Sequence, residues 1–131
     1  MSKVRILIAD DHELVRRGLR ATLEERPGWE VVGEAGDGEE AIKLSLKLRP
    51  DLLVLDVNMP NLDGVAALAQ IRALDPNAVV IMLTSLANRQ TVEECLALGA
   101  VDYIRKDTPR DEMTARFEEV ITECFGEEAT A

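Results

Sequence analysis

Residues 50–64 read PDLLVLDVNMPNLDG, and how that run divides decides the fold. Residues 52–55 are unbroken aliphatics. The block is too short for a helix and lacks the alternation of a strand wetted on one side, so it reads as a strand covered on both faces. Asp56 follows at its end, and Pro60 with Asp63-Gly64 then marks a tight loop before the next helical pattern. Working outward, similar strand blocks recur at residues 4–9, 30–34, 79–83 and 102–105, with helical patterns between them. That alternation predicts an α/β, doubly wound arrangement of five βα units on a parallel sheet. The first, third and fourth strands are nearly all apolar and suit the centre, whereas the mixed second strand suits an edge.

Length and composition agree with one such unit. The 131 residues suffice for a single domain, and 47% hydrophobic content supports a packed core that 3% aromatics force to be aliphatic. A net charge of −10 repels a phosphate backbone and attracts cations, so nucleic-acid binding is not expected of this chain. No run approaches the roughly 18 apolar residues of a membrane span, and the cytoplasm is the expected compartment. Cys95 and Cys124 sit in helical, apolar stretches without metal-ligand spacing and read as buried thiols.

Punctuation marks the helix ends. Asp37 with Glu40 reads as a capping box, and Pro50 pushes Arg49 out of helical geometry. Thr108, Pro109 and Asp111 read as N-cap, first-turn proline and N3 acid of the last helix. Its buried face is then Met113, Phe117, Val120, Ile121 and Cys124.

In an open parallel sheet, ligands bind outside the carboxyl ends of the strands, and here those ends are polar. The first is followed by Asp10-Asp11, the third by Asp56, the fourth by Thr84-Ser85 and the fifth by Lys106. Taken singly, each has a plain structural use. Asp10 with Glu13 matches a capping box, Asp56 suits a turn, Thr84 suits a cap and Lys106 suits a solvated strand end. Together they bring acids, a hydroxyl and an ammonium to one edge. All-oxygen ligands favour Mg²⁺, which with the lysine balances the mutual repulsion of the carboxylates. His12 beside the acid pair is better read as a solvent-facing first-turn residue than as a ligand.

The runs DDHELVRRGL, GEAGDGEEAI, PDLLVLDVNMPNLDG, VVIMLTS and ALGAVDYIRKDTPRDE occur in order over nearly the whole chain. In these the sequence resembles the receiver domain of two-component response regulators. The resemblance implies a flavodoxin-like (βα)5 fold with strand order 2-1-3-4-5, a receiver over residues 1–125 and a tail over 126–131. It implies that Asp56 accepts a phosphoryl group from a sensor histidine kinase or phosphotransfer protein. Asp11, Asp56 and the Asn58 carbonyl would ligate Mg²⁺, with Asp10 helping through water, and Lys106 would pair with the phosphoryl group. Thr84 and Tyr103 would form a switch in which the ring turns inward from solvent, altering the surface of the fourth helix, fifth strand and fifth helix and allowing a homodimer. Asn58 and Leu86 would tune how long the phosphoryl group lasts.

DDHELVRRGL and KDTPRDE look most like receivers that precede a helix-turn-helix DNA-binding domain, and the sequence ends before such a domain. Lys106-Asp107 stands where many receivers have Lys-Pro, which puts a cis peptide there in doubt. Three readings compete. A dehalogenase-like phosphatase shares the aspartate, hydroxyl, lysine and Mg²⁺, but its nucleophile follows the first strand. A flavodoxin-like cofactor carrier would need a glycine-rich phosphate loop after that strand. A receiver-like interaction module without phosphorylation would keep only the fold. Arg16, Arg17 and Arg20 form either a docking group for a kinase or a solvated helix face.

Overall fold

A computed structural model describes residues 3–85 and 88–126. Strand and helix alternate through β1 (Val4–Ala9), α1 (Glu13–Leu23), β2 (Trp29–Ala35), α2 (Gly38–Leu48), β3 (Leu52–Asp56), α3 (Gly64–Leu74), β4 (Val79–Thr84), α4 (Arg89–Ala97), β5 (Asp102–Arg105) and α5 (Arg110–Phe125). All strand pairs are parallel, in the order β2-β1-β3-β4-β5. The three apolar strands are central and β2 is an edge, as their composition predicts. The third and fourth expected strands each extend one residue further, so Asp56 and Thr84 close strands instead of opening loops.

The period-two alternation of each strand divides the core. Ile6, Ile8, Val54, Ile81 and Leu83 face α1 and α5, meeting Leu19, Leu23, Phe117 and Ile121. Leu7, Ala9, Leu55, Val80 and Met82 face the other way, meeting Ala41, Ala67, Leu68 and Cys95. Each fully buried large aliphatic contributes roughly 1.5–3 kcal/mol. Cys124 does not join them. It is exposed while Cys95 is buried, because in the last turn of α5 the neighbouring Phe125 packs against the core instead.

The helix ends depart from expectation in detail. Asp37 accepts from the Glu40 amide at 2.8 Å, but Glu40 returns its bond to Gly36, one residue earlier than in a capping box. Arg49 is out of helical geometry, as Pro50 predicts, and takes the left-handed region at φ 49°. The Arg5 guanidinium holds it there by donating to the Leu48 and Arg49 carbonyls. Pro109 and not Thr108 occupies the N-cap position of α5. Peptide bonds are trans throughout the described residues, Lys106–Asp107 included.

Gly64 sets the join between β3 and α3. A Cβ there would stand 1.9 Å from the Asp56 carbonyl oxygen, and the Gly64 amide donates to the Val57 carbonyl at 2.8 Å. The start of α3 is thereby pressed against the end of β3 without side chains between them. Among the described residues no helix is long and apolar enough to cross a membrane.

Candidate functional site

The acids at the ends of β1 and β3 are treated alike by the fold. Asp10 continues the ladder through its amide, which donates to the Ala35 carbonyl at 3.0 Å, and its Oδ1 accepts from the His12 amide at 2.9 Å. Asp56 closes β3, and its Oδ1 accepts from the Asn58 amide at 3.3 Å. Each acid thus uses one oxygen to turn its own chain. The second oxygen of each is turned toward Lys106, whose Nζ lies 2.7 Å from Asp10 Oδ2 and 3.1 Å from Asp56 Oδ2. Among the described residues neither of these buried oxygens makes a hydrogen bond of regular geometry, and charge pairing with the ammonium compensates them.

The turn reading holds for one oxygen of Asp56, but plain structural uses do not account for the rest. His12, not Asp10, is the N-cap residue of α1, which has no side-chain cap. Asn88 caps α4 through the Gln90 and Thr91 amides, so that cap is not Thr84. Lys106 is not a solvated lysine, since its side chain is only 15% exposed.

The charges do not balance. Desolvation by burial and the neighbouring charge of Asp10 raise the Asp56 carboxyl to about 6 against the opposing ammonium of Lys106. Burial also works against the Lys106 charge, but its bonds to Asp10 and Asp56 prevail and its pKa is raised. Asp11 stands at the open side, where its Oδ1 is 3.0 Å from His12 Nδ1. Ligand atoms of Asp10, Asp11, His12 and Asp56 all fall within 4.8 Å of one another. Three carboxylates against one ammonium leave two negative charges, and two carboxylate oxygens are buried without regular bonds. That donor set fits a small divalent cation with oxygen preference. The His12 ring is solvent-exposed and leans on both neighbouring acids. Asn58 is exposed beside Asp56.

Thr84 is buried at the end of β4, and its carbonyl accepts from the Lys106 amide at 2.7 Å. Tyr103 differs from expectation. Its ring packs against the core on the α2, α3 and α4 side, and among the described residues its shielded hydroxyl has no hydrogen-bond partner. The ring is only partly buried, so packing favours the inward position by less than a full burial would, and an unmade bond to the hydroxyl opposes it by about 1–3 kcal/mol. Leu86 lies outside the described residues, as do the tail residues after Gly126.

The arginines of α1 do not form a bare basic patch. Arg17 pairs with Glu13 at 3.0 Å, Arg16 with Glu34 at 3.0 Å and Arg20 with Glu34 at 2.8 Å. Sequence reasoning missed Glu34, which with Glu30 is one of two acids in the mixed edge strand and carries no local mark that sets it apart. A cavity of about 200 Å³ lies at the other end of the sheet, between α2 and α3, lined by Ile42, Leu46, Leu53, Ile71 and Leu74. It gathers none of the strand-end groups.

A doubly wound sheet with acids, a hydroxyl and a lysine at its carboxyl edge defines a signalling receiver of the phosphoacceptor kind. The family model described as Response regulator receiver domain matches residues 6–118, and the chain belongs to that family. It is 40% identical over 127 residues to protein-glutamate methylesterase/protein-glutamine glutaminase 2 of Carboxydothermus hydrogenoformans, covering 95% of this chain and 35% of the relative. To the transcriptional regulatory protein LiaR of Bacillus subtilis it is 39% identical over 110 residues, covering 84% of this chain and 52% of the relative. The chain thus spans about a third to a half of these relatives. Among solved structures it superposes on a chain of the CheX-CheY-BeF3-Mg+2 complex from Borrelia burgdorferi with a TM-score of 0.87 at 32% identity, covering 92% of this chain and 90% of that one.

Proposed function

We propose that this chain is a phosphoacceptor switch, with Asp56 as the nucleophile and a sensor histidine kinase or phosphotransfer protein as the donor. The observation that carries this reading is the shared ammonium: two buried acids ending neighbouring strands are held to one lysine, with two negative charges left over. Asp11, Asp56 and the Asn58 carbonyl would hold Mg²⁺, with Asp10 assisting through water. Bound there, the ion would screen the incoming phosphoryl oxygens from the acids.

The chain's own residues supply the rest. An Asp56 oxygen attacks phosphorus in line, the P–N bond of the phosphohistidine breaks, and its electron pair stays on the departing imidazole. Lys106 exchanges its carboxylate partner for a phosphoryl oxygen, and the Thr84 hydroxyl donates to another. Movement of Thr84 then changes the room available to Tyr103 and alters the α4–β5–α5 surface, which serves a homodimer or an output domain. The resemblance to LiaR, together with DDHELVRRGL and KDTPRDE, favours an output in transcription through a DNA-binding domain outside this sequence. The methylesterase relatives mark an enzymatic output as the second reading. Asn58 and Leu86 are assigned to tuning the lifetime of the phosphorylated state.

Intact mass after exposure to a small phosphodonor with Mg²⁺ tests the assignment. The parent gains one phosphoryl group, and Asp56→Asn or a chelator abolishes the gain. A parent without any gain would be an interaction module instead, and equal labelling of Asp56→Asn would move the acceptor elsewhere.

A further inference from the structure

The three arginines of α1 have different surroundings. Arg17 lies in solvent with Glu13, the two side chains 70% and 65% exposed. Arg20 bridges Glu24 and Glu34. Arg16 is 20% exposed and points inward, where Nε donates to Glu34 Oε1 at 3.0 Å and Nη1 donates to the Asp10 carbonyl at 2.7 Å. That carbonyl belongs to the peptide joining Asp10 to Asp11. Because a peptide is planar, fixing its oxygen also fixes the amide and Cα of Asp11.

The two acids need this help to different degrees. Asp10 is already held by its amide, by Oδ1 and by Lys106. Asp11 is solvent-facing, and among the described residues only His12 Nδ1 is recorded against its carboxylate. Glu34 orients the guanidinium from the edge strand. Burial opposes its charge, but hydrogen bonds from Arg20 and Arg16 outweigh that and lower its pKa.

We propose that Arg16, oriented by Glu34, is a positioning residue for the cation site, setting the Asp10–Asp11 peptide so that the Asp11 carboxylate converges with that of Asp56. The inference rests on the reading of this acidic cluster as a divalent-cation site. The expected effect is opposite in sign to simple electrostatics. Removing a positive charge near a cation site should tighten binding, whereas removing the group that orients a ligand should weaken it.

The test is calorimetric titration of the full chain with MgCl₂ at fixed ionic strength, without phosphodonor, alongside thermal melting in chelator. Arg16→Ala is expected to weaken Mg²⁺ binding about tenfold, the lower end of what loss of an orienting group costs. Arg16→Lys recovers little, because one ammonium cannot reproduce the forked contact to carboxylate and carbonyl. Glu34→Gln weakens binding less, and Arg17→Ala leaves it unchanged or slightly tighter. At saturating Mg²⁺ the phosphorylation rate of Arg16→Ala returns to the parental value, which separates positioning from chemistry. Parental or tighter Mg²⁺ binding by a folded Arg16→Ala overturns the proposal. Should that variant melt early, Arg16→Lys and Glu34→Gln decide, and parental affinity in both overturns it. A parent that binds no Mg²⁺ overturns the cation-site reading itself.

Discussion

The site has two halves that differ in solvent. Asp10, Asp56 and Thr84 are buried and share Lys106 or its main chain, whereas Asp11, His12 and Asn58 stand in or near water. In the buried half each acid has one oxygen committed to a turn and one to the ammonium, so every charge is felt by the others. Burial, and after it the charge of Asp10, lifts Asp56 to about 6 against the opposing ammonium. The exposed half leaves room for ordered water, which suits an ion that gives up its hydration reluctantly. Burial makes the Asp56 charge sensitive to its neighbours; exposure leaves the Asp11 side of the cluster open to solvent.

Three measurements put this division at risk. The largest effect is expected from Lys106→Met, which strands two buried acids without a counter-charge. The loss should be on the order of 3 kcal/mol at pH 7, shrinking toward pH 5 as a proton replaces the ammonium. Urea unfolding at both pH values checks it, and an equal loss at the two would mean that the acids are not coupled through the lysine.

A comparable but smaller effect is expected from Asp56 itself. Its folded pKa of about 6 exceeds the ordinary value of 3.8, so the folded chain binds more protons than the unfolded one between those values. In metal-free protein this group therefore favours folding fully below pH 4, and that contribution is lost as pH rises through 6. The swing is at most about 3 kcal/mol. Asp56→Asn should accordingly exceed the parent in stability at pH 7, by a margin that shrinks at pH 5. A difference independent of pH would contradict the raised carboxyl.

The smallest effect separates the adjacent acids. Asp11→Asn should weaken Mg²⁺ binding more than Asp10→Asn, because the exposed acid meets the ion directly while the buried one is tied to Lys106. A titration with the reverse order would erase the boundary between the halves.

Much of this is legible in sequence because short aliphatic blocks have few alternatives. Residues 4–9 and 102–105 form strands with the expected limits, and the apolar content of the first, third and fourth blocks matches their central places. Acids, threonine and lysine at strand ends point to the site, since parallel strands bring their carboxyl ends together. What escapes depends on distances between elements. Nothing local to Arg16 announces the Asp10 carbonyl, and Glu34 is 18 residues away from its partner. Cys124 follows the helical stripe of α5 in sequence, but in the last turn it is the neighbouring Phe125 that packs against the core. The Tyr103 ring is expected in solvent from the resemblance alone, and its partial burial depends on side chains of other elements that no local pattern announces.

The contact between Gly64 and Asp56 also bears on mechanical transmission. Side chains can absorb a small displacement by changing rotamer, but two touching backbones cannot. With the Gly64 amide bonded to Val57 and no methyl to spare at the contact, β3 and α3 behave as a single stiff strut. On the opposite side, the Tyr103 hydroxyl is tied to nothing among the described residues, and its ring is held by side-chain packing alone. A displacement at Asp56 therefore meets touching backbone toward α3 and repackable side chains toward β5, so the two flanks of the residue differ in stiffness.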